Sequence, residues 1–485
     1  MTLLVVDVGT SGLRAVIVDD SGSVRHSEYR PNPPSTPAPG LVEFDAGVMA
    51  SAALEVASIA LERCGPVSGV GITNQRASTI VWDRKTGDPV GPGIGWQDLR
   101  TVGTCLELQA DGIRLAPNES ATKAAFLFDQ SDPERDRDLC FGTVDSWLAW
   151  NLSGGSLHVT DGTNAGVTGL LLGDGSGWDD KVLETLRIRR SALPEIVNSS
   201  GVIGVASALP GSPPICGIVG DQQGSLVGQG CTLPGLAKAT FGTGGMLDCC
   251  VGGRRAFAGH RGEQGTFPIV AWKRSDRIVW GVEAVMLSAG TCVEWLVQDM
   301  GIIATADQSE EIAGACETSG DVWFVPAFLG LGTPHWDFGA RGTFVGISRG
   351  TGKPEFVRAV LEGIAHRGGD LVDAAEADTG LRFATLRVDG GMSSNNLFIQ
   401  ALADAIGRPV EVSRERDATS LGAAYLAGIA LGTWVDEDEV AEQWRPGRIV
   451  EPSLPDSQRA KRRERWASAV ERSLATVPEL SSLEF

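Results

Sequence analysis

A chain of 485 residues, 42% hydrophobic and 21% charged, is long enough to bury a substantial core in two or three domains without help from metals or disulfides. Its formal net charge of −20, from 41 basic and 61 acidic residues, repels phosphate backbones and argues against nucleic acid as a partner. Nine scattered cysteines with no CxxC pair argue against a disulfide framework or a zinc site, and no stretch approaches the about 18 apolar residues of a membrane span, so a soluble cytoplasmic protein is expected.

In chain order, Leu3 to Val8 reads as a buried strand and Gly9-Thr10-Ser11-Gly12 as a tight turn. Arg14 to Asp19 is a second β-branched run, closed by a hairpin turn at Asp20-Ser21-Gly22. Pro31 to Pro39 is an extended proline-rich loop. Val48 to Cys64 carries Ala, Leu, Val and Ile at helical spacing and precedes a strand at Val67 to Ile72. Near residue 233 the same grammar starts again. Lys238 to Phe241 leads as a strand into Gly242-Thr243-Gly244-Gly245, and helices are predicted over 284–300, 355–377 and 393–406. The strand Leu386 to Val388 ends in Asp389-Gly390-Gly391, and Ser457 to Leu474 reads as a solvated amphipathic helix. Alternating strands and helices, with a Gly-Thr turn early in each half, predict an α/β protein of two lobes, 1–232 and 233–485, with a nucleotide in the cleft between them.

The chemistry concentrates in the turns. In Asp7-Val8-Gly9-Thr10-Ser11-Gly12-Leu13-Arg14, a carboxylate at a strand end suits Mg2+, held through water because the ion sheds its shell reluctantly. Gly9 lets backbone N–H groups approach phosphate oxygens, Thr10 and Ser11 add hydroxyls, and Arg14 adds a cation. Thr243 and its glycines would clamp the phosphates from the other side, and Gly391 permits close approach of a purine or ribose. Asn395 stands at a helix start, where N-capping and ligand binding can coexist. The run Arg349-Gly-Thr-Gly-Lys353-Pro354 only mimics a P-loop: its glycine spacing is wrong, and Pro354 stands where Ser or Thr should hold Mg2+.

These segments and several others resemble the FGGY carbohydrate kinase family, most closely its glycerol kinase branch, over nearly the whole chain. Further matching segments are Gly71-Ile-Thr-Asn-Gln-Arg76, Trp96-Gln97 with Arg100-Thr101, Phe141 to Trp147, His158 to Asp161 and Gly220-Asp-Gln-Gln223. Gly342 to Ile347, Glu355 to Gly363, Leu386 to Gly391 and Thr419 to Tyr425 complete the series. The resemblance implies two actin-like, ribonuclease H-like lobes, ATP with Mg2+, and γ-phosphoryl transfer to a hydroxyl of a small polyol or sugar; a homodimer or homotetramer is compatible with it. It implies Asp221 as catalytic base with Gln222 orienting the substrate, Arg76 as substrate-binding arginine and Trp96 as an aromatic wall. For the nucleotide it implies Thr10, Ser11, Arg14, Thr243, Gly290, Val293, Glu294, Gly391 and Asn395, with Asp7 on the metal.

The chain also departs from the glycerol kinase pattern. Ala77 replaces an acidic residue, Asn118 a tyrosine and Met246 a phenylalanine, while Ala124 and Phe126 stand where a bulky apolar residue and a tryptophan are expected. The nucleotide side is therefore kept and the hydroxyl-reading side, Asn118 and Met246 included, is altered. Glycerol leads as a single substrate, but tetritols, pentitols and ketoses compete with it, because polar reading of hydroxyls discriminates strongly. Glu119, beside Asn118, can turn into the space that Ala77 opens and restore a carboxylate. A non-catalytic nucleotide-binding sensor would keep the phosphate loops but need neither Asp221 nor Arg76. A carboxylate-pair glycosidase would leave the Gly-Thr loops unexplained.

Overall fold

The structure is a computed structural model and describes residues 1–275, 277–415 and 417–483. Its frame is two sheets. In the first, strand Thr2–Val8 pairs antiparallel with Gly12–Asp19, and that strand pairs antiparallel with Val24–Pro31. On the other side Gly69–Asn74 runs parallel to Thr2–Val8, and Pro214–Gly220 runs parallel to Gly69–Asn74. The second sheet repeats the plan. Ala237–Phe241 pairs antiparallel with Gly245–Gly252, which pairs with Arg277–Met286, while Leu386–Asp389 and then Val410–Ser413 lie parallel on the other side. Both sheets share this arrangement of five strands; the first adds Ser200–Val205 antiparallel to Pro214–Gly220, and the second adds an antiparallel strand at each edge, Phe267–Arg274 beside Arg277–Met286 and Pro446–Val450 beside Val410–Ser413. The duplication expected from the two Gly-Thr turns is thus visible as topology, although the sequences of the halves have diverged.

Local spacing misplaces one boundary. The helix predicted over 284–300 begins only at Gly290 and ends at Gln298, because Ala284, Val285 and Met286 still pair with Leu247, Met246 and Gly245 in the sheet. Ladder hydrogen bonds on a central strand outweigh the apolar spacing there. Likewise, the predicted helix over 393–406 opens with a short 3-10 turn at Gly391–Ser394, and Asn396–Ile406 follows it.

The two halves exchange helices. Helix Asp221–Gly228 leaves the first sheet and packs against the strands of the second, whereas Ala418–Leu431 leaves the second sheet and covers the first. Only glycines permit the contact that results. A Cβ on Gly71 would come within 2.8 Å of the Ala423 carbonyl, and one on Gly217 within 2.9 Å of the Ala427 nitrogen. The helices cross more tightly still: a Cβ on Gly422 would lie 1.8 Å from the Gly224 carbonyl, and one on Gly228 at 1.8 Å from that of Ala418. Among the described residues no helix is long and apolar enough to cross a membrane.

Candidate active site

The helix exchange brings the N-terminus of Ala418–Leu431 to the end of the first strand. There Ser420 Oγ donates to Asp7 Oδ2 at 2.9 Å, and Asp417 pairs with Arg14. Burial pushes the Asp7 carboxyl up to about 6, opposed by the Ser420 bond and Arg14 and reinforced by the nearby charge of Asp221. The Arg14 guanidinium bridges the two halves through Asp417 and lies 5.6 Å from the Tyr29 ring centroid. Gly9 N–H donates to the Gly12 carbonyl and closes the turn, leaving Ser11 exposed at its tip. Trp96 Nε1 donates to Thr10 Oγ1 at 3.1 Å, so the residue expected on the nucleotide and the residue expected on the substrate touch each other.

Arg76, Asp221 and Gln222 come together at the ends of two neighbouring strands. Arg76 Nε lies 3.3 Å from Asp221 Oδ1, and its Nη2 donates to Glu283 at 2.6 Å across the cleft. Partial enclosure raises the Asp221 carboxyl above the usual carboxylate range, and Arg76 and Lys238 pull it back. The backbone ends that carry these side chains are fixed from behind. Gly220 N–H donates to Thr163 Oγ1 at 2.8 Å, and Thr163 donates to the buried Asp161 at 2.7 Å. Asn74, two residues before Arg76, donates to Asn164 at 2.9 Å. Beneath Gln222 lies Lys238, whose Nζ reaches Gln222 Oε1 at 2.7 Å and Asp248 Oδ2 at 2.7 Å.

On the second lobe, Thr243 stands exposed in a loop that docks on the helix Gly290–Gln298. Gly290 N–H donates to the Gly242 carbonyl at 2.8 Å, and a Cβ on Gly290 would meet that oxygen at 2.5 Å. Glu294 is exposed on this helix, but the Val293 side chain is part of the hydrophobic core and not of the cleft. Gly390, at φ +90°, is pressed against Phe241, while Gly391 faces open space. Asn395 is committed to structure at both ends of its amide: it caps the following helix by accepting from Phe398 N–H at 2.9 Å and donates to Ser309 at 3.1 Å.

The altered pocket residues have distinct surroundings. Ala77 is buried with φ +61°, a left-handed backbone that costs a residue with a side chain on the order of 1 kcal/mol. Ser120 Oγ donates to the Ala77 carbonyl at 2.9 Å, which ties the two loops together. Asn118 is exposed and Met246 half-buried on its strand. Glu119 does not restore the missing acceptor: its Oε2 accepts from Ala116 N–H at 2.8 Å and packs against Gly169, and burial pushes its carboxyl up to about 7. Glu283, Lys238, Asp248, Asp417 and Ser420 were not singled out by sequence. Lys238, Asp248 and Glu283, each a charge among apolar neighbours in its strand, carried a local signal.

Comparison with known proteins follows this geometry. The model of the N-terminal domain of the FGGY family of carbohydrate kinases matches residues 2–228, and that of the C-terminal domain matches residues 254–431. A glycerol kinase of Trichlorobacter lovleyi is 42% identical, covering 97% of this chain and 98% of that protein. Glycerol kinase 2 of Thermotoga maritima is 40% identical with the same coverage. Among solved structures, Plasmodium falciparum glycerol kinase with ADP superposes with a TM-score of 0.90 at 30% identity over 98% of both chains. A xylulose kinase of Lactobacillus acidophilus shares the fold, with a TM-score of 0.86 at 21% identity over 97% of both chains. With both halves matched in order and relatives aligned nearly end to end, the chain belongs to the FGGY family of carbohydrate kinases.

Proposed function

We propose that the protein transfers the γ-phosphoryl group of ATP to a terminal hydroxyl of a small polyol, glycerol leading, with glycerol 3-phosphate and ADP as products. The observation that carries this reading is the Arg76–Asp221 pair, 3.3 Å apart at the mouth of two strands with Gln222 alongside. A hydroxyl seated there is held by Arg76 and Gln222 while Asp221 accepts its proton. The hydroxyl oxygen forms the new bond to the γ-phosphorus as the bond to the bridging oxygen breaks, and ADP leaves. Trp96 offers an apolar face to the carbon chain, and Asp221 is well suited to its task because partial enclosure raises its basicity.

Residues 1–232 thus supply the base and the substrate contacts, and residues 233–485 the adenine nucleotide side through Thr243, Gly290 and Gly391. The donor set near Asp7 fits Mg2+: a carboxylate at a strand end, one oxygen on Ser420, beside the second carboxylate of Asp221. Bound there with the phosphates, the ion would neutralise the charge that develops on the transferring group. Asp7 is the residue that would hold it.

A four-carbon polyol is the second reading, favoured by the small side chain of Ala77 and the exposed Asn118 where the related kinases carry larger groups. A coupled ADP-release assay across glycerol, erythritol, threitol, pentitols and dihydroxyacetone separates these readings. Release with none of them, while MgATP still binds, would leave a nucleotide-binding protein without kinase activity.

A further inference from the structure

Lys238 is a charged residue in the middle of a sheet strand, with no side-chain exposure. An ammonium has three N–H donors and cannot accept. Two are donated, to Gln222 Oε1 at 2.7 Å and to Thr240 Oγ1 at 3.1 Å, and the ammonium is ion-paired with Asp248 Oδ2 at 2.7 Å. Asp248 is equally buried, and its strand neighbour in the cross-strand register is Glu283, the partner of Arg76. Two first-lobe residues of the site, Arg76 and Gln222, are therefore each held by a charged residue of the second lobe.

The consequence for Gln222 is specific. A side-chain amide has one accepting and one donating end, and an ammonium tolerates only the accepting end. Oε1 must face Lys238, so Nε2 is turned the other way, and it has no protein acceptor among the described residues. We propose that Lys238 is a positioning residue that locks the Gln222 amide so that Nε2 points into the cleft as a donor to a substrate hydroxyl oxygen. Asp248 keeps the buried ammonium neutralised without touching the substrate. An unlocked amide would present its oxygen half of the time, and a hydroxyl held by an acceptor is misaligned for giving its proton to Asp221. The inference rests on the kinase reading above.

The test uses the full-length protein and polyol-dependent ADP release. Removing Lys238 alone would strand the Asp248 charge, so Lys238→Met is combined with Asp248→Leu, which replaces both charges with apolar groups of similar volume. The folded double variant, checked by its melting curve, should show KM for the polyol raised about tenfold or more. KM for ATP should be unchanged. A structural role alone would not raise the polyol KM while sparing that for ATP. Gln222→Glu, at the cleft surface, keeps a partner for Lys238 but has no donor, and should raise the polyol KM about as much. A folded double variant with wild-type polyol KM overturns the proposal. So does a Gln222→Glu protein with wild-type polyol KM, should the double variant fail to fold. Wild-type protein without any polyol-dependent release would overturn the kinase reading and this inference together, whereas wild-type turnover with unaffected variants overturns this inference only.

Discussion

Ser420 Oγ donates to the Asp7 carboxylate at 2.9 Å, joining residues that stand 413 positions apart in the chain. The bond favours the ionised carboxylate against burial, which by itself raises the Asp7 pKa. Ser420→Ala should therefore raise it further above about 6 and move the acid limb of MgATP binding to higher pH. Calorimetric titration of MgATP through that range checks this, and coincident pH profiles for the two proteins would contradict it.

Asp7 also makes a stability prediction with a definite sign. Its folded-state pKa is raised from 3.8 to about 6, so the folded form holds a proton that the unfolded form has released. The stability it contributes is full below the unfolded value and is lost as pH rises through about 6. At neutral pH the ionised group is a burden on the apo protein. Asp7→Asn should melt higher than wild type at about pH 7 and lose the rise in melting temperature that MgATP gives wild type. A lower melting point with an intact MgATP response would be the contrary result.

Asp221→Asn keeps shape and hydrogen bonding but cannot accept a proton. Turnover should fall about a hundredfold or more. MgATP should still raise the melting temperature, since the proposed role of Asp221 is on the hydroxyl and not on the nucleotide. Steady-state kinetics and a melting series with MgATP separate the two effects. Near-normal turnover would remove Asp221 from the mechanism.

The glycine crossing leaves no room for a methyl group. Gly422→Ala puts a carbon 1.8 Å from the Gly224 carbonyl, and since the obstacle is backbone, the helices must move apart. Denaturant unfolding should show a loss of about 1–3 kcal/mol or more. An unchanged midpoint would mean that the crossing relaxes freely.

What the sequence disclosed follows the reach of its signals. The turn after Asp7, the Asn-Gln-Arg run ending at Arg76 and the Asp221-Gln222 pair are contiguous, and each is rare enough in pattern to stand out. Their partners are not contiguous with them. Glu283 and Lys238 sit one per strand among apolar neighbours, and Ser420 lies inside a helix whose role appears only when it crosses to the other sheet. Asn395 shows the opposite limit. Its place at a helix start was legible, but not that Ser309 would take the other end of its amide. Glu119 could have turned toward Ala77, yet its carboxylate accepts instead from the N–H of its own loop at Ala116.

Position 77 gives the last prediction. Ala77→Glu places a carboxylate where the glycerol kinase pattern expects one, on a backbone that already adopts φ +61°. The ratio of kcat/KM for glycerol to that for a tetritol should rise by about tenfold, the size of one well-made hydroxyl contact. An unchanged ratio would mean that position 77 does not read the substrate.

The exchanged helices have a further consequence for how the molecule holds together. Each sheet is roofed by a helix that the other half of the chain supplies, so the unit that was copied is not the unit that folds. A fragment ending near residue 232 would lay bare the face of the first sheet that Ala423 and Ala427 cover, while the remainder would keep a helix with nothing beneath it. The halves are interlocked, and heat should meet one cooperative body with a single melting transition, not two. The rivet is backbone: Gly422 lies against the Gly224 carbonyl and Gly228 against that of Ala418, so the two halves are pinned where their exchanged helices cross.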